Sequence, residues 1–543
     1  MNQQRIDSYY PIDLSSLPAT WYRGYVGDVI FDIQPGFASG SHNQKGIGVP
    51  HLRPMNIDRE GRLDLTVIKY VSGDNPLRLH RGDVLLNNTN SPELVGKTTS
   101  INQAGDWAYS NHMTRLRPPA GVSSKFIGYQ LHFLWMSGYF RHRCTHHVNQ
   151  ASIPSMTLAK SVPLAFASTK EQERIVAEIE KQFTRLEAAV AAMKRIRANL
   201  KRYRASVLKA ACEGCLVPTE AELARAEGRD YESADQLLAR ILNERRARWE
   251  AGHLANMKAA RKVPKDDRWK SKYPEPITPD TSALPELPGG WTWATVDQLA
   301  SLKGNAITDG PFGSNLKTSH YAPIGPRVIR LQNIGDGVFI DAYAHISQEH
   351  YESLIKHRAA EGDIVIASLG ERSPRACIIP PSVGPAIVKA DCIRFSPEPR
   401  LALAKLLNYV LNAEPTRDRT TSAIHGVGRP RLGLIGIKAI ALPLPPLGEQ
   451  HRIVNEVERR LAVIHELESI VAANQKRVVR LRQAILNRAF GGKLVPQDPN
   501  DEPAGALLER IRAERAKMAS DGKLRKSNGR RRVRRASVME ILV

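Results

Sequence analysis

The chain is poor in cysteine, in long apolar runs and in acid. Five cysteines scattered through 543 residues make an odd number. They argue against a disulfide framework and for a reducing cytoplasm. No apolar run approaches the roughly 20 residues needed to span a bilayer. The opening Met1-Asn2-Gln3-Gln4-Arg5-Ile6-Asp7 has no apolar h-region, so neither a membrane span nor a secretory signal is expected. Acid is outnumbered by base, 55 Asp and Glu against 78 Lys and Arg, for a net charge of +23. A pI near 9.9 implies a polyanionic partner, most simply nucleic acid. Eight of those charges crowd into Lys523 to Arg535, a tail without acid, yet removing them leaves +15 on the body. Motifs of chemistry are also missing. There is no GxxxxGK[ST] phosphate loop, no GxGxxG after a strand and no Asn-Pro-Pro-aromatic run. The chain is therefore expected to carry no catalytic residue and no cofactor of its own.

What the chain does have is a duplication. Glu171-Gln172-Glu173-Arg174-Ile175-Val176 opens a helical pattern that ends at Leu216-Val217-Pro218. Glu449-Gln450-His451-Arg452-Ile453-Val454 opens a second that ends at Leu494-Val495-Pro496, at one offset of 278 residues without a gap. Leu17-Pro18 before Trp21 returns as Leu287-Pro288 before Trp291, and Gly82-Asp83-Val84 as Gly362-Asp363-Ile364. Leu237-Leu238 before Arg240-Ile241 returns as Leu507-Leu508 before Arg510-Ile511. A period this long is a duplicated domain pair, not a solenoid, whose repeats run to about 20–50 residues. The globular parts differ far more than the helices do. A constant scaffold with two different heads predicts two different things recognised at a fixed separation.

Composition along the chain divides it into seven stretches. Residues 1–160 form a first mixed α/β head, in which the alternation Leu63-Asp64-Leu65-Thr66-Val67 predicts a strand and Gly82-Asp83-Val84-Leu85-Leu86 a turn feeding a buried strand. Residues 161–218 hold the first long helix, capped by Ser168 or Thr169 and ended by Gly214. Residues 219–284 are a helical segment, about Ser233 to Arg261, and a Pro-rich linker. Residues 285–440 form the second head, with strands at Val328–Leu331 and Asp363–Ala367. Residues 441–496 hold the second long helix, 497–522 a C-terminal helical segment, and 523–543 the basic tail. The first helix repeats Ile179, Leu186, Met193, Leu200 and Val207 at heptad spacing, alternating with Gln182, Ala189, Ile196, Tyr203 and Ala210. The second repeats Val457, Ile464, Val471, Val478 and Ile485, alternating with Arg460, Leu467, Asn474, Leu481 and Arg488. Five heptads each make a coiled-coil signal. About 40 residues give a rod of roughly 60 Å, too long to pack only on its own head. The expected fold is therefore α+β: two pseudo-repeated heads separated by two long helices in an antiparallel coiled coil.

This arrangement resembles the specificity subunit of bacterial type I restriction–modification enzymes over nearly the whole chain. The residues that carry the likeness are Leu287-Pro288-Gly289-Gly290-Trp291, then Thr308-Asp309-Gly310-Pro311-Phe312-Gly313-Ser314. Val328-Ile329-Arg330-Leu331-Gln332-Asn333-Ile334 and Pro443-Leu444-Pro445-Pro446-Leu447-Gly448-Glu449-Gln450 follow. No single motif decides it; order, spacing and duplication together do. The first copy departs at Val162–Gln172, two residues longer and less Pro-rich, and its head lacks the Asp-Gly-Pro-Phe-Gly-Ser stretch. The resemblance implies that each head is a target recognition domain reading one half of a split double-stranded DNA sequence. It implies that the helices fix the spacer and dock two methyltransferase subunits, and that restriction subunits, which hydrolyse ATP and translocate DNA, join the core. S-adenosylmethionine, ATP and Mg are then expected on partner subunits, with none in this chain. The other readings are a specificity subunit of a methylation-only system and a coiled-coil scaffold that binds no DNA.

Phosphate contacts need Lys or Arg, and base reading needs forked side chains in exposed loops. The first head offers Lys45, Arg53, Asn87, Asn88, Asn90 and Lys97. The second offers Asn315, Lys317, Arg330, Arg372, Arg375, His425, Arg429 and Arg431. Arg53 and Arg330 occupy matching positions, so a structural ion pair competes there with a DNA contact. A second basic stretch, Lys194, Arg195, Arg197, Lys201, Arg202 and Arg204, lies on the first helix. Two clusters have metal-like composition. Cys212-Glu213-Gly214-Cys215 is half of a zinc site at best, and Phe490 and Lys493 stand at the equivalent positions of the second copy. His142, Cys144, His146 and His147, beside Arg141 and Arg143, read as surface or DNA-facing residues. No metal site is expected.

Overall fold

The computed structural model describes residues 9–261, 264, 266–370, 373–421 and 431–520. They fold as two compact units that do not coincide with the two sequence copies. One unit joins residues 1–194 to 472–543, and the other is residues 195–471. The first long helix, Thr169–Cys212, and the second, Leu447–Phe490, each give one half to either unit. Both match the sequence expectation. The Ser168 hydroxyl accepts the Glu171 N–H at 3.2 Å as the expected cap, and Gly214 takes the left-handed conformation that stops the helix, φ +69°.

The long helices pack against each other in the opposite sense. In the first unit Phe183 meets Arg482, whose guanidinium lies 4.5 Å over its ring. In the second, Arg460 feels the neighbouring Tyr203. Partner numbers fall as helix numbers rise, so the pair is antiparallel. Of the expected seam, Ile179, Met193, Leu200, Val207, Val457, Ile464 and Val471 are buried, and Leu186, Val478 and Ile485 are half-buried. The alternate row behaves differently. Ile196 and Tyr203 are 43% and 44% exposed, and Leu467 and Leu481 also face solvent. Two helices alone cover only one of the two rows.

Each unit is built from both copies. The first head shares a core with the end of the second helix: Phe126 meets Phe490 edge-on at 5.3 Å between ring centres. Leu507, Leu508 and Ile511 of the C-terminal helix Ala504–Ser520 join the same core. In the second unit the head packs with Val207, Leu208, Ala211 and Cys212 from the end of the first helix. Leu237, Leu238 and Ile241 of the helix Ala234–Ala259 complete it. Leu237-Leu238 and Leu507-Leu508 thus recur because each following helix braces the other copy's head. The helix-ending glycines show the same crossing. A Cβ on Gly214 would stand 2.4 Å from Pro288 and one on Gly492 2.4 Å from Pro18, so only glycine admits the proline that opens the facing head.

The heads share a plan. A four-stranded antiparallel sheet orders Asp32–Pro35, Met113–Arg117, Val84–Asn87 and Thr98–Ser100 in the first. The second matches it with Ile307–Thr308, Cys392–Phe395, Ile364–Ala367 and Arg375–Ile378. A second sheet holds a parallel pair in each, Val49–Leu52 with Ala108–Tyr109 and Tyr321–Ile329 with Ala386–Val388. A short antiparallel pair closes each head at its root, Tyr22–Tyr25 with Pro163–Phe166 and Thr292–Thr295 with Ala441–Leu444. The expected strand at Leu63–Val67 is not formed; Leu63 makes a lone bridge to Ile57. Its backbone is claimed by side chains instead. Asn56 Nδ2 donates to Asp64 O at 2.8 Å and Val67 O at 2.9 Å, and Asp64 Oδ1 accepts from Thr66 N. Alternation could not reveal a competitor of that kind.

Candidate nucleic-acid interface

The same turn presents an arginine from each head. Arg53 N donates to Asn56 Oδ1 and Arg330 N to Asn333 Oδ1, both at 2.9 Å. Both asparagines are buried, and each amide nitrogen donates to two backbone carbonyls further along, in the second head Ile340 O and Ala342 O. A locked turn fixes where the arginine leaves the surface. No carboxylate pairs with either guanidinium among the described residues. Arg53 Nη2 reaches Met55 Sδ at 3.1 Å, and Arg330 Nη2 donates to Tyr343 O at 2.9 Å. In both, Nε is buried without a hydrogen-bond partner. The ion-pair alternative for these positions therefore fails.

In the second head the strands Ile307–Thr308, Ile364–Ala367, Arg375–Ile378 and Cys392–Phe395 bring a group of cationic loops together at one end of their sheet. Gly310 lies so close to Lys389 that a Cβ would stand 2.1 Å from its carbonyl carbon. Arg431 stacks 5.1 Å over Phe312 and pairs with Asp391 at 3.1 Å. Lys389 Nζ donates to Tyr321 Oη at 3.0 Å, and Arg330 lies 5.9 Å over the same ring. Arg375 donates to Leu331 O at 3.5 Å. Asn315 and Lys317 are exposed on the short turns that follow Phe312. Lys389 was missed by sequence reading, since nothing local marks it; the neighbouring Asp391, held at φ +68°, is the tight turn that aims it. Arg372, His425 and Arg429 lie outside the described residues.

The first head treats its candidates less uniformly. Lys45 is exposed and Asn90 half-buried. Asn87 and Lys97, expected in exposed loops, are internal. Asn87 Nδ2 donates to Leu94 O at 2.8 Å. Lys97 Nζ donates to Pro54 O at 3.3 Å and to Ile57 O, and burial holds its ammonium below the usual lysine range. Asn88 is also buried, its amide donating to Thr114 Oγ1 at 2.8 Å. These three hold the head together, because the strand that ends at Asn87 is central to its sheet. They flank a small third sheet, Thr145–His146, Ala151–Ser152 and Thr89–Asn90.

Neither metal-like cluster converges. Cys212 is buried, with its thiol pushed up to about 12 by desolvation, whereas Cys215 is exposed and donates to Glu213 O. His142 stacks on Tyr9 at 4.3 Å, His146 approaches Cys144 Sγ at 3.7 Å, and His147 bonds Ser152 Oγ at 3.0 Å. Among the described residues no three His, Cys, Asp or Glu side chains are placed to hold a metal ion. Nor is any described helix long and apolar enough to cross a membrane.

Fold and site define a duplicated protein of two α/β heads and an antiparallel pair of long helices, with an arginine held at the same asparagine-locked turn in each head. Comparison with known proteins adds the particular likeness. No family model matches the chain. It is 32% identical over 208 residues to the specificity subunit of the type I restriction enzyme EcoBI of Escherichia coli, covering 37% of this chain and 43% of that protein. It is 29% identical over 251 residues to the EcoDI specificity subunit of the same species, 44% of this chain and 52% of that one. These matches span about half the length of the relatives. A solved chain of a type I restriction–modification system superposes with a TM-score of 0.57 at 16% identity, covering 88% of this chain and 99% of that one. Sequence and fold thus bear out the resemblance to specificity subunits read from the motifs.

Proposed function

We propose that this chain is the DNA-recognition subunit of a type I restriction–modification complex and is itself non-catalytic. Each head reads one half of a bipartite duplex target, and the helices set the spacer. The observation that carries this reading is the matched pair Arg53 and Arg330, one per head, on the same asparagine-locked turn and without a carboxylate partner among the described residues. A contact present in both heads suits phosphate, which is common to every half-site; the loops that differ suit bases. Lys45, Asn90, Asn315, Lys317, Arg375 and Arg431 remain candidates for those loops.

Exposed apolar side chains on the long helices in each unit, Leu481 in the first and Ile196, Tyr203 and Leu467 in the second, support docking of partner helices from two methyltransferase subunits. Restriction subunits complete the complex, S-adenosylmethionine, ATP and Mg belong to the partner chains, and five unpaired thiols suit the cytoplasm. The test is reconstitution. The purified chain alone transfers no methyl group and cuts no DNA, and adding the cognate methyltransferase subunit produces site-specific adenine methylation. Robust methylation by the chain alone sinks the reading.

A further inference from the structure

The first head carries a hairpin whose histidines, His146 and His147, read from the sequence as surface or DNA-facing, but whose tip amides were not among the DNA-reading candidates. Between the helix Tyr139–Arg143 and the helix Ser155–Ser161, the chain forms a hairpin of Thr145–His146 paired with Ala151–Ser152. Its tip closes through His147 N donating to Gln150 O at 2.7 Å. Thr145 to Gln150 are all exposed, and Val148 at the apex is 99% exposed. The root is the opposite. Ser152 and Ala151 pair with Thr89 and Asn90, Ile153 N donates to Asn88 O at 2.8 Å, and Ala151 and Ile153 lie in the core. The hairpin is thus an outward projection clamped at its base by the buried Asn88.

Three properties fit it to duplex DNA. A two-stranded ribbon fits the major groove, about 12 Å wide. The tip offers forked amides, Asn149 and Gln150, with no hydrogen-bond partner among the described residues. Asn and Gln are the side chains that bond adenine's N6 and N7 together, and an apolar tip such as Val148 suits the thymine methyl. Charge agrees. Arg141 and Arg143 stand exposed at the root, and no Asp or Glu occurs between Asp106 and Glu171.

We infer that the 145–152 hairpin is a base-reading element of the first head, in which Asn149 and Gln150 read at least one A·T pair in the major groove and Arg141 contacts flanking phosphate. This rests on the proposed DNA-recognition function and names where in the first head it resides. The segment at the same 278-residue offset in the second copy, residues 423–430, lies outside the described residues and plays no part in it.

The test is selection from a pool of randomised duplex DNA by the full-length chain and its variants. The wild type is expected to select a bipartite sequence. N149A/Q150A should keep one half-sequence and lose discrimination by about tenfold or more at A·T positions of the other. R141A should weaken all sequences alike and reduce the salt slope by about one. Because these side chains are exposed, urea midpoints should stay at the wild-type value, and the single variants Q150A and N149A guard against a folding effect in the double. The inference is overturned if N149A/Q150A keeps wild-type preferences in both halves, or weakens every sequence uniformly. A wild type that selects no bipartite sequence would overturn the recognition function itself.

Discussion

Asn56 and Asn333 do at residue scale what a strand would do with many bonds. Each ties one backbone N–H and two carbonyls to a single buried amide, so truncation strands three groups at once. Asn333→Ala is expected to cost about 2–4 kcal/mol, since unsatisfied buried polar groups cost ~1–3 kcal/mol each with partial relaxation; urea denaturation checks it. A second expectation concerns pH. His132 is fully buried, between Arg59 O and Thr98 N, and desolvation lowers its pKa from 6.5 to about 4. Protons therefore bind the unfolded chain more readily than the folded one in that window. Stability should fall as the pH drops from about 6.5 to about 4, and His132→Gln should flatten that part of the urea-midpoint profile. The matching of Arg53 with Arg330 was legible because Arg-x-x-Asn recurs at equal spacing. The burial of Asn87 and Lys97 was not, because nothing within a few residues tells a loop lysine from one whose ammonium is wrapped by carbonyls 40 residues away.

At the scale of elements, the long helices were the most legible part and still hid half their meaning. Heptad spacing found the buried row from Ile179 to Val207 and from Val457 to Ile485, because a 3.5-residue period marks one face whatever lies opposite. It could not say how many helices share that face. Ile464→Ala should therefore destabilise the protein by about 2–5 kcal/mol, as read by urea denaturation. Tyr203→Ala, on the exposed row, should leave the midpoint within ~0.5 kcal/mol of wild type. It should nevertheless weaken co-purification with the methyltransferase subunit, and an unweakened complex would remove that row from the docking surface. The strand read at Leu63–Val67 failed for a related reason: period two describes side chains, whereas Asn56 took the backbone.

For the whole molecule, the 278-residue echo was plain in the sequence, but the crossing of its parts was not. Leu237-Leu238 and Leu507-Leu508 announced equivalent helices without saying which head each would brace, since both cores are equally apolar. Each long helix runs unbroken from one unit into the other, past Lys194 and past Val471. If the pair sets the spacer, a heptad inserted after Ala192 together with one after Val471 keeps both seams in phase. Seven residues add roughly 10 Å, or about 3 bp at ~3.4 Å per pair. The original target should be lost, and any new one should keep both half-sequences with a longer spacer. Methylation mapping reads the result, and an unchanged spacer would mean the helices are not the ruler.

The crossing also has a consequence in time. A ribosome delivers the first head early, yet Leu486, Phe490, Leu507 and Leu508, which close its core, emerge roughly 300 residues after Lys194. At ~5–20 residues per second that is a wait of roughly 15–60 s. The other unit, drawn only from residues 195–471, completes before it. The half made first therefore matures last, and a nascent chain halted before its final helices exposes an unfinished apolar face to chaperones and proteases.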